Sequence, residues 1–221
     1  MEKKTVIDEV ILLEWNMFRT VNGEEQVDCQ QNPDMFYAMR KAQFQVWPET
    51  ALENYRQDLK RAEQEGRNLL REKYIRMMRI TDPEAYEVLG RDLPEVSARR
   101  EELAKAIWAV QERQTRKLRS DYPALGLLGR PMEAEEEEDW ASVENYQLSE
   151  LLTYSEETLE TLLAHIREME RLGQDYVREI QENTVLCQGF ASLDEAEAFA
   201  RRTCRARTDG GVCSCDHGEV R

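Results

Sequence analysis

A carboxylate is the first side chain in this sequence whose chemistry needs an explanation. Glu14 falls in a row with Ile7, Ile11, Phe18 and Val21 at helical spacing. A carboxylate carried into an apolar interior must either be paired or keep its proton. The cations and donors that also lie within or beside apolar rows are Arg40, Gln43, Arg67, Asn68 and Arg76, and Glu72 shares a helix face with Asn68 and Arg76. Such a set forms either a buried ion-pair network that fixes how helices register, or a polar pocket for a small molecule. In the second case Glu14 and Glu72 are the candidate general acid and base, and Trp15, Arg40, Gln43, Trp47, Tyr55, Arg67, Asn68 and Tyr74 are the candidate ligand-binding residues. Both alternatives stay open at the level of sequence.

Soft ligands gather at the other end of the chain. Cys204, Cys213, Cys215 and His217 offer four donors for zinc or iron, but Cys213-Ser214-Cys215 is C-x-C and not the C-x₂-C knuckle. A metal role for this set is the weaker expectation; otherwise no cofactor is expected. Cys29 precedes the start of a helix, where a thiolate is stabilised by backbone N–H groups and the dipole. His165 has Glu168 three residues after it, the reverse of the Glu-x-x-His order of di-metal bundles, and is expected to be a partly buried structural residue. There is no phosphate-cradling glycine loop, nucleophile elbow or zincin motif.

The elements that must position these groups are helices. Ten glycines and six prolines are few for 221 residues and leave little material for tight turns between strands. A first helix is expected over residues 5–20, and a polar connection over 22–31. Asn32-Pro33-Asp34 then opens a second helix, with Met35, Met39, Ala42 and Val46 as an apolar row and Phe36, Arg40, Gln43 and Trp47 beside it. Residues 49–80 read as helix interrupted at Gly66, 82–90 as a short helix, and 94–120 as a helix burying Leu103, Ile107 and Val110. After a connection that carries the acidic run Glu135 to Asp139 come a short helix over 141–152 and a long one capped by Ser155. The long one has a seam of Leu159, Leu162, Ile166, Met169, Gly173, Tyr176 and Ile180. Ser192 and Glu195 form a capping box for a last helix to Cys204. The expected fold is therefore all-α, a multi-helix bundle with a long C-terminal helix and a flexible Cys-rich tail. It divides into an N-terminal bundle (1–122), an acidic linker (123–140), C-terminal helices packing on the bundle (141–204) and the tail (205–221).

Charge narrows the partners. The formal net charge is −15, which repels nucleic-acid phosphates and anionic lipid surfaces, so neither nucleic acid nor membrane is expected as a partner. Acidic residues at 8, 9 and 14 rule out a signal-peptide core, and no apolar run approaches the roughly 18–20 residues of a membrane span. Five cysteines without an export signal read as reduced thiols in the cytoplasm. A small-molecule ligand is the leading expectation, and the basic residues Arg40, Arg67, Arg71 and Arg76 make an anionic one admissible. The alternative is an interaction module whose acidic surface meets a protein partner. That alternative needs an apolar groove open along Leu159 to Ile180.

The stretches VIDEVILLEWNMFRTVN, CQQNPDMFYAMRKAQFQVW and LENYRQDLKRAEQEGRNLLREKYIRMM resemble a bacterial family of unknown function, DUF4125, well over about residues 5–90 and loosely beyond. The family pattern includes Glu14-Trp15, Cys29-Gln30, Arg40, Gln43, Trp47, Gly66-Arg67-Asn68 and Glu72-Lys73-Tyr74, but not the acidic run or the Cys-rich tail. The resemblance implies no activity to carry over.

Overall fold

The computed structural model describes residues 2–21, 32–133 and 141–209, the last six of them as backbone. Among these there are eleven α-helices and no strand: α1 (Lys3–Phe18), α2 (Pro33–Val46), α3 (Glu49–Gln64), α4 (Leu69–Thr81), α5 (Pro83–Leu89), α6 (Ala98–Asp121), α7 (Pro123–Leu127), α8 (Val143–Leu151), α9 (Glu156–Arg171), α10 (Tyr176–Cys187) and α11 (Leu193–Asp209). Their starts follow from local chemistry. Asn32, Asn68, Asp82, Ser97, Ser142, Ser155 and Asp175 each accept a hydrogen bond from a backbone N–H of the first turn they precede. At the last helix the capping box forms in modified shape: Ser192 Oγ accepts from Glu195 N–H, and the Glu195 carboxylate accepts from Ala191 N–H at 2.7 Å.

Three stops share one device. Gly66, Gly173 and Gly189 have φ of 71°, 74° and 91°, and each is followed by the pair of backbone bonds that closes a Schellman motif, as in Gly173 N–H to Glu170 O and Gln174 N–H to Met169 O. The seam expected in one long C-terminal helix is therefore carried by two, α9 and α10, because Gly173 turns the chain left-handed between them. The seam itself is packed: Leu159, Leu162, Ile166, Met169 and Tyr176 are all buried. At these five residues the seam on which the docking alternative drew is covered by the protein's own helices.

Packing brings the late helices onto the early ones. α3 lies between α1 and α9, α9 also packs on α6, α2 packs on α1 and α10, and α4 packs on α1, α5 and α8. One core extends from Val6 through Tyr55, Leu59 and Ile107 to Tyr176, and a smaller one joins Tyr122, Val185, Leu193 and Ala196. Part of the expected connection over 123–140 is helical, since α7 docks on α11, where the Glu197 carboxylate accepts from Ala124 and Leu125 N–H. α11 runs to Asp209, past the boundary expected at 204. The acidic run 135–139 and residues 210–221 lie outside the described residues. No helix among the described residues is long and apolar enough to cross a membrane.

One expected apolar row is corrected in its first half. Ala42 and Val46 are buried as expected, but Met35 and Met39 are exposed, whereas Arg40, Phe44 and Trp47 are buried. α2 turns its aromatic and guanidinium side inward because Phe44 and Trp47 bury more apolar area than two methionines, and because Arg40 finds carboxylates there.

Gly173→Ala tests the break. An added Cβ at Gly173 meets nothing within 4 Å, so the cost is backbone strain alone. The variant is expected to lose about 1 kcal/mol in urea unfolding with an unchanged slope.

Candidate functional site

The buried charges converge on Arg40. Its Nε–H donates to Glu14 Oε2 at 2.7 Å and its Nη2–H to Glu14 Oε1 at 2.5 Å, a two-pronged pair between α2 and α1. Nη1 donates to Gln43 Oε1 at 2.9 Å and to Glu150 Oε1, on α8, at 3.0 Å. Tyr55, from α3, donates its hydroxyl to Glu14 Oε1 at 2.7 Å. Glu150 accepts in addition from the Tyr154 hydroxyl at 2.7 Å and from Lys73 Nζ, on α4, at 2.5 Å. The Lys73 ammonium also sits 3.5 Å from the centre of the Tyr146 ring. Two carboxylates thus meet two cations, and five helices each contribute a group.

The floor is aromatic. Phe44 lies under the Arg40 guanidinium at 4.7 Å. Tyr55 and Tyr154 pack edge to face at 4.6 Å, and Trp47 donates its Nε1–H to the Tyr176 hydroxyl at 2.8 Å. In this dry setting the pairings decide protonation. Burial alone drives Glu150 toward its neutral form, but Arg40 and Lys73 outweigh burial and hold it well below the usual carboxylate range. Burial likewise pulls Lys73 down, and Glu150 more than restores it, so the ammonium is held above its ordinary value. Burial, then the neighbouring carboxylate, pushes the Tyr55 and Tyr154 hydroxyls up, so both remain donors. The network is charged, neutral in sum and closed. Glu14 is fully buried, with both oxygens engaged.

Of the remaining expected residues, Arg67, Asn68, Glu72 and Arg76 form a second group about the first turns of α4. Asn68 caps α4 by accepting from Arg71 N–H at 2.9 Å, and it donates to Met17 O at 2.8 Å and Thr20 Oγ1 at 3.2 Å, which ties the end of α1 to the start of α4. Arg67 clasps Glu72 with two bonds of 2.8 and 3.0 Å and reaches Glu65 at 2.9 Å. Glu72 is buried, while the Arg67 side chain is 33% exposed, so this pair opens to solvent where the network does not. Arg76 donates to Pro94 O and Arg100 to Leu152 O. Trp15 and Tyr74 belong to a third group, an aromatic stack with Phe18 and Phe36 at centroid distances of 5.1 to 6.3 Å.

The sequence pointed to all of these residues as one cluster; the structure instead divides them, with Glu14, Arg40, Gln43, Tyr55 and Trp47 in one group, Arg67, Asn68 and Glu72 in another and Trp15 and Tyr74 in a third, and the sequence missed Lys73, Glu150, Tyr146 and Tyr154. The row Leu69, Leu70, Lys73 and Met77 on α4 is the same signal that singled out Glu14. Glu150 has no such signal, because α8 buries Asn145, Ser149, Glu150 and Leu151 within nine residues and shows no apolar stripe. His165 is half-buried, its Nε2 2.8 Å from the Val46 carbonyl at the end of α2. Among the described residues no three His, Cys, Asp or Glu side chains are grouped to hold a metal ion. Cys29, Cys213, Cys215, His217 and the side chain of Cys204 lie outside the described residues.

Removing one partner of a buried ion pair leaves the other charge unmatched. Glu14→Gln is expected to lose about 3–5 kcal/mol in urea unfolding. The acid limb carries a second expectation. The folded-state value of Glu150 lies below the 4.5 of a free carboxylate, so the stability it contributes is present above that pH and is lost as pH falls below it. The stability gap between the protein and Glu150→Gln should accordingly narrow between about pH 5 and pH 3, followed by urea midpoints across that range. Lys73 acts in the opposite direction. Its value lies above 10.5, so its contribution is present below that pH and fades above it.

The search of curated proteins and the search of solved structures each find no match. One family model matches residues 4–198, well past the N-terminal blocks and into α11, under the description "Protein of unknown function (DUF4125)". The chain belongs to the DUF4125 family.

Proposed function

We propose that the protein binds a small molecule on the half-open side of α4, beside Arg67 and Glu72, and that the closed network around Arg40 is the rigid wall behind this site. The observation that carries the proposal is the contrast between adjacent residues. Lys73 points into a closed, neutral network, whereas Glu72 is a buried carboxylate reached from solvent through a half-exposed arginine. A guanidinium that clasps a carboxylate at the surface of a packed core can exchange that partner for a ligand group at little structural cost. Binding fits better than acid–base catalysis by the inner residues, because Glu150 and Lys73 are held fully charged around neutrality. In this reading the protein is cytoplasmic and works without a cofactor, and Glu14, Arg40, Gln43, Tyr55 and Trp47 position the helices.

A thermal-shift screen of small metabolites against the intact protein tests it. A true ligand raises the melting temperature with concentration, by an amount equivalent to about 2.7 kcal/mol at a hundredfold excess over Kd. The shift should be lost in Arg67→Met and altered in Glu72→Gln, which frees Arg67 from its competing carboxylate, with helicity retained in both. A ligand whose shift is unchanged in both variants, or a broad screen with no stabilising compound, would contradict the proposal.

A further inference from the structure

Two arginines beside Glu72 are under-used as donors. Each guanidinium carries five N–H groups. Arg76 uses one on Pro94 O at 3.0 Å, and Arg100 uses one on Leu152 O at 2.6 Å. Their Nε atoms are buried and have no hydrogen-bond partner among the described residues. A buried donor without a partner is costly and uncommon in a native protein. In the same molecule Arg40 is supplied with acceptors at Nε, Nη1 and Nη2.

The acidic groups near them are committed elsewhere. Glu72 is clasped by Arg67. Asp58 accepts from Ser155 N–H and from the Thr158 hydroxyl, Glu156 accepts from the Ser97 hydroxyl, and Glu65 turns to the exposed side of Arg67. The three guanidiniums lie within electrostatic reach of one another, and burial together with this mutual repulsion pulls Arg76 and Arg100 below their ordinary values despite Glu72. Arg100 also stands in the first turn of α6, whose dipole adds positive potential there.

We propose that Arg67, Arg76 and Arg100 form a binding site for an oxyanion carried by a small molecule, a phosphoryl or carboxylate group whose oxygens accept from the Nε–H groups of Arg76 and Arg100. This rests on the small-molecule site at Arg67 and Glu72 and adds its ligand class. An oxyanion accepts several N–H groups at once and matches the fork of a guanidinium. It supplies the acceptors and the negative charge that the surrounding carboxylates do not. Arg67 is then shared between Glu72 and the ligand.

Inorganic phosphate and malonate, each titrated against the full-length protein at ionic strength fixed with chloride, are the probes, read as melting temperature and by calorimetry. The expected result is a saturable shift with at least one of them, and the better of the two identifies the group carried. Arg76→Lys and Arg100→Lys keep the charge but remove the Nε–H and the fork, so each should weaken binding about tenfold or more. Arg113→Gln, on an exposed pair with Glu170, should leave it unchanged. Circular dichroism confirms that each variant is folded. If neither anion shifts the protein more than matched chloride, or if both lysine variants bind as well as the parent, the oxyanion site is wrong. Should a neutral or cationic compound still stabilise the protein through Arg67 and Glu72, the small-molecule site stands and only the ligand class falls; should nothing do so, both fall.

Discussion

The rest of the structure depends on one guanidinium between two buried carboxylates. Arg40 reaches Glu14 on α1 and Glu150 on α8, and Glu150 carries the contact on to Lys73 on α4. Charges so far from water are tolerable only because each meets an opposite charge at hydrogen-bond distance and the set sums to zero. Apolar packing alone would let α1, α2, α3, α4 and α8 slide by a residue or a turn at modest cost. The network does not allow it, because any slip strands a charge.

That constraint explains the arrangement around α4. The helix is pinned on one side by Lys73 and at its start by Asn68, which holds the last turn of α1. With the helix fixed, Glu72 and Arg76 are presented together one turn apart, flanking Lys73 along the helix, next to Arg67 and Arg100. A preorganised set of donors loses little freedom on binding, which is where affinity for a small ligand is gained. The inner network is therefore connected to the outer site by adjacency along one rigid helix, with no direct hand in chemistry.

Much of the fold was legible in the sequence, and the exceptions have physical causes. Capping residues at Asn32, Asp82 and Ser155 mark helix starts because their side chains compete for the same orphan N–H groups in any context. Glu14 and Arg40 stood out because a charge in an apolar row must be answered. The row of Met35 and Met39 misled, since periodicity shows that a helix has two faces but not which face a partner will prefer; Phe44, Trp47 and the paired Arg40 decide it. Gly173 was read inside the seam because its spacing fits, although its left-handed backbone ends α9. Glu150 was invisible because its partners come from residues 40 and 73, and no local pattern encodes contacts that distant.

The central claim is that Arg40 and its carboxylates act as a unit, and a double-mutant cycle reads this most directly. Arg40→Met, Glu14→Leu and the combined variant are compared by urea unfolding. A closed ion-pair network predicts that the double variant is more stable than the sum of the single losses implies, with a coupling of about 2 kcal/mol or more. Additive losses would contradict the account and would mean that Glu14 and Arg40 stabilise the fold independently.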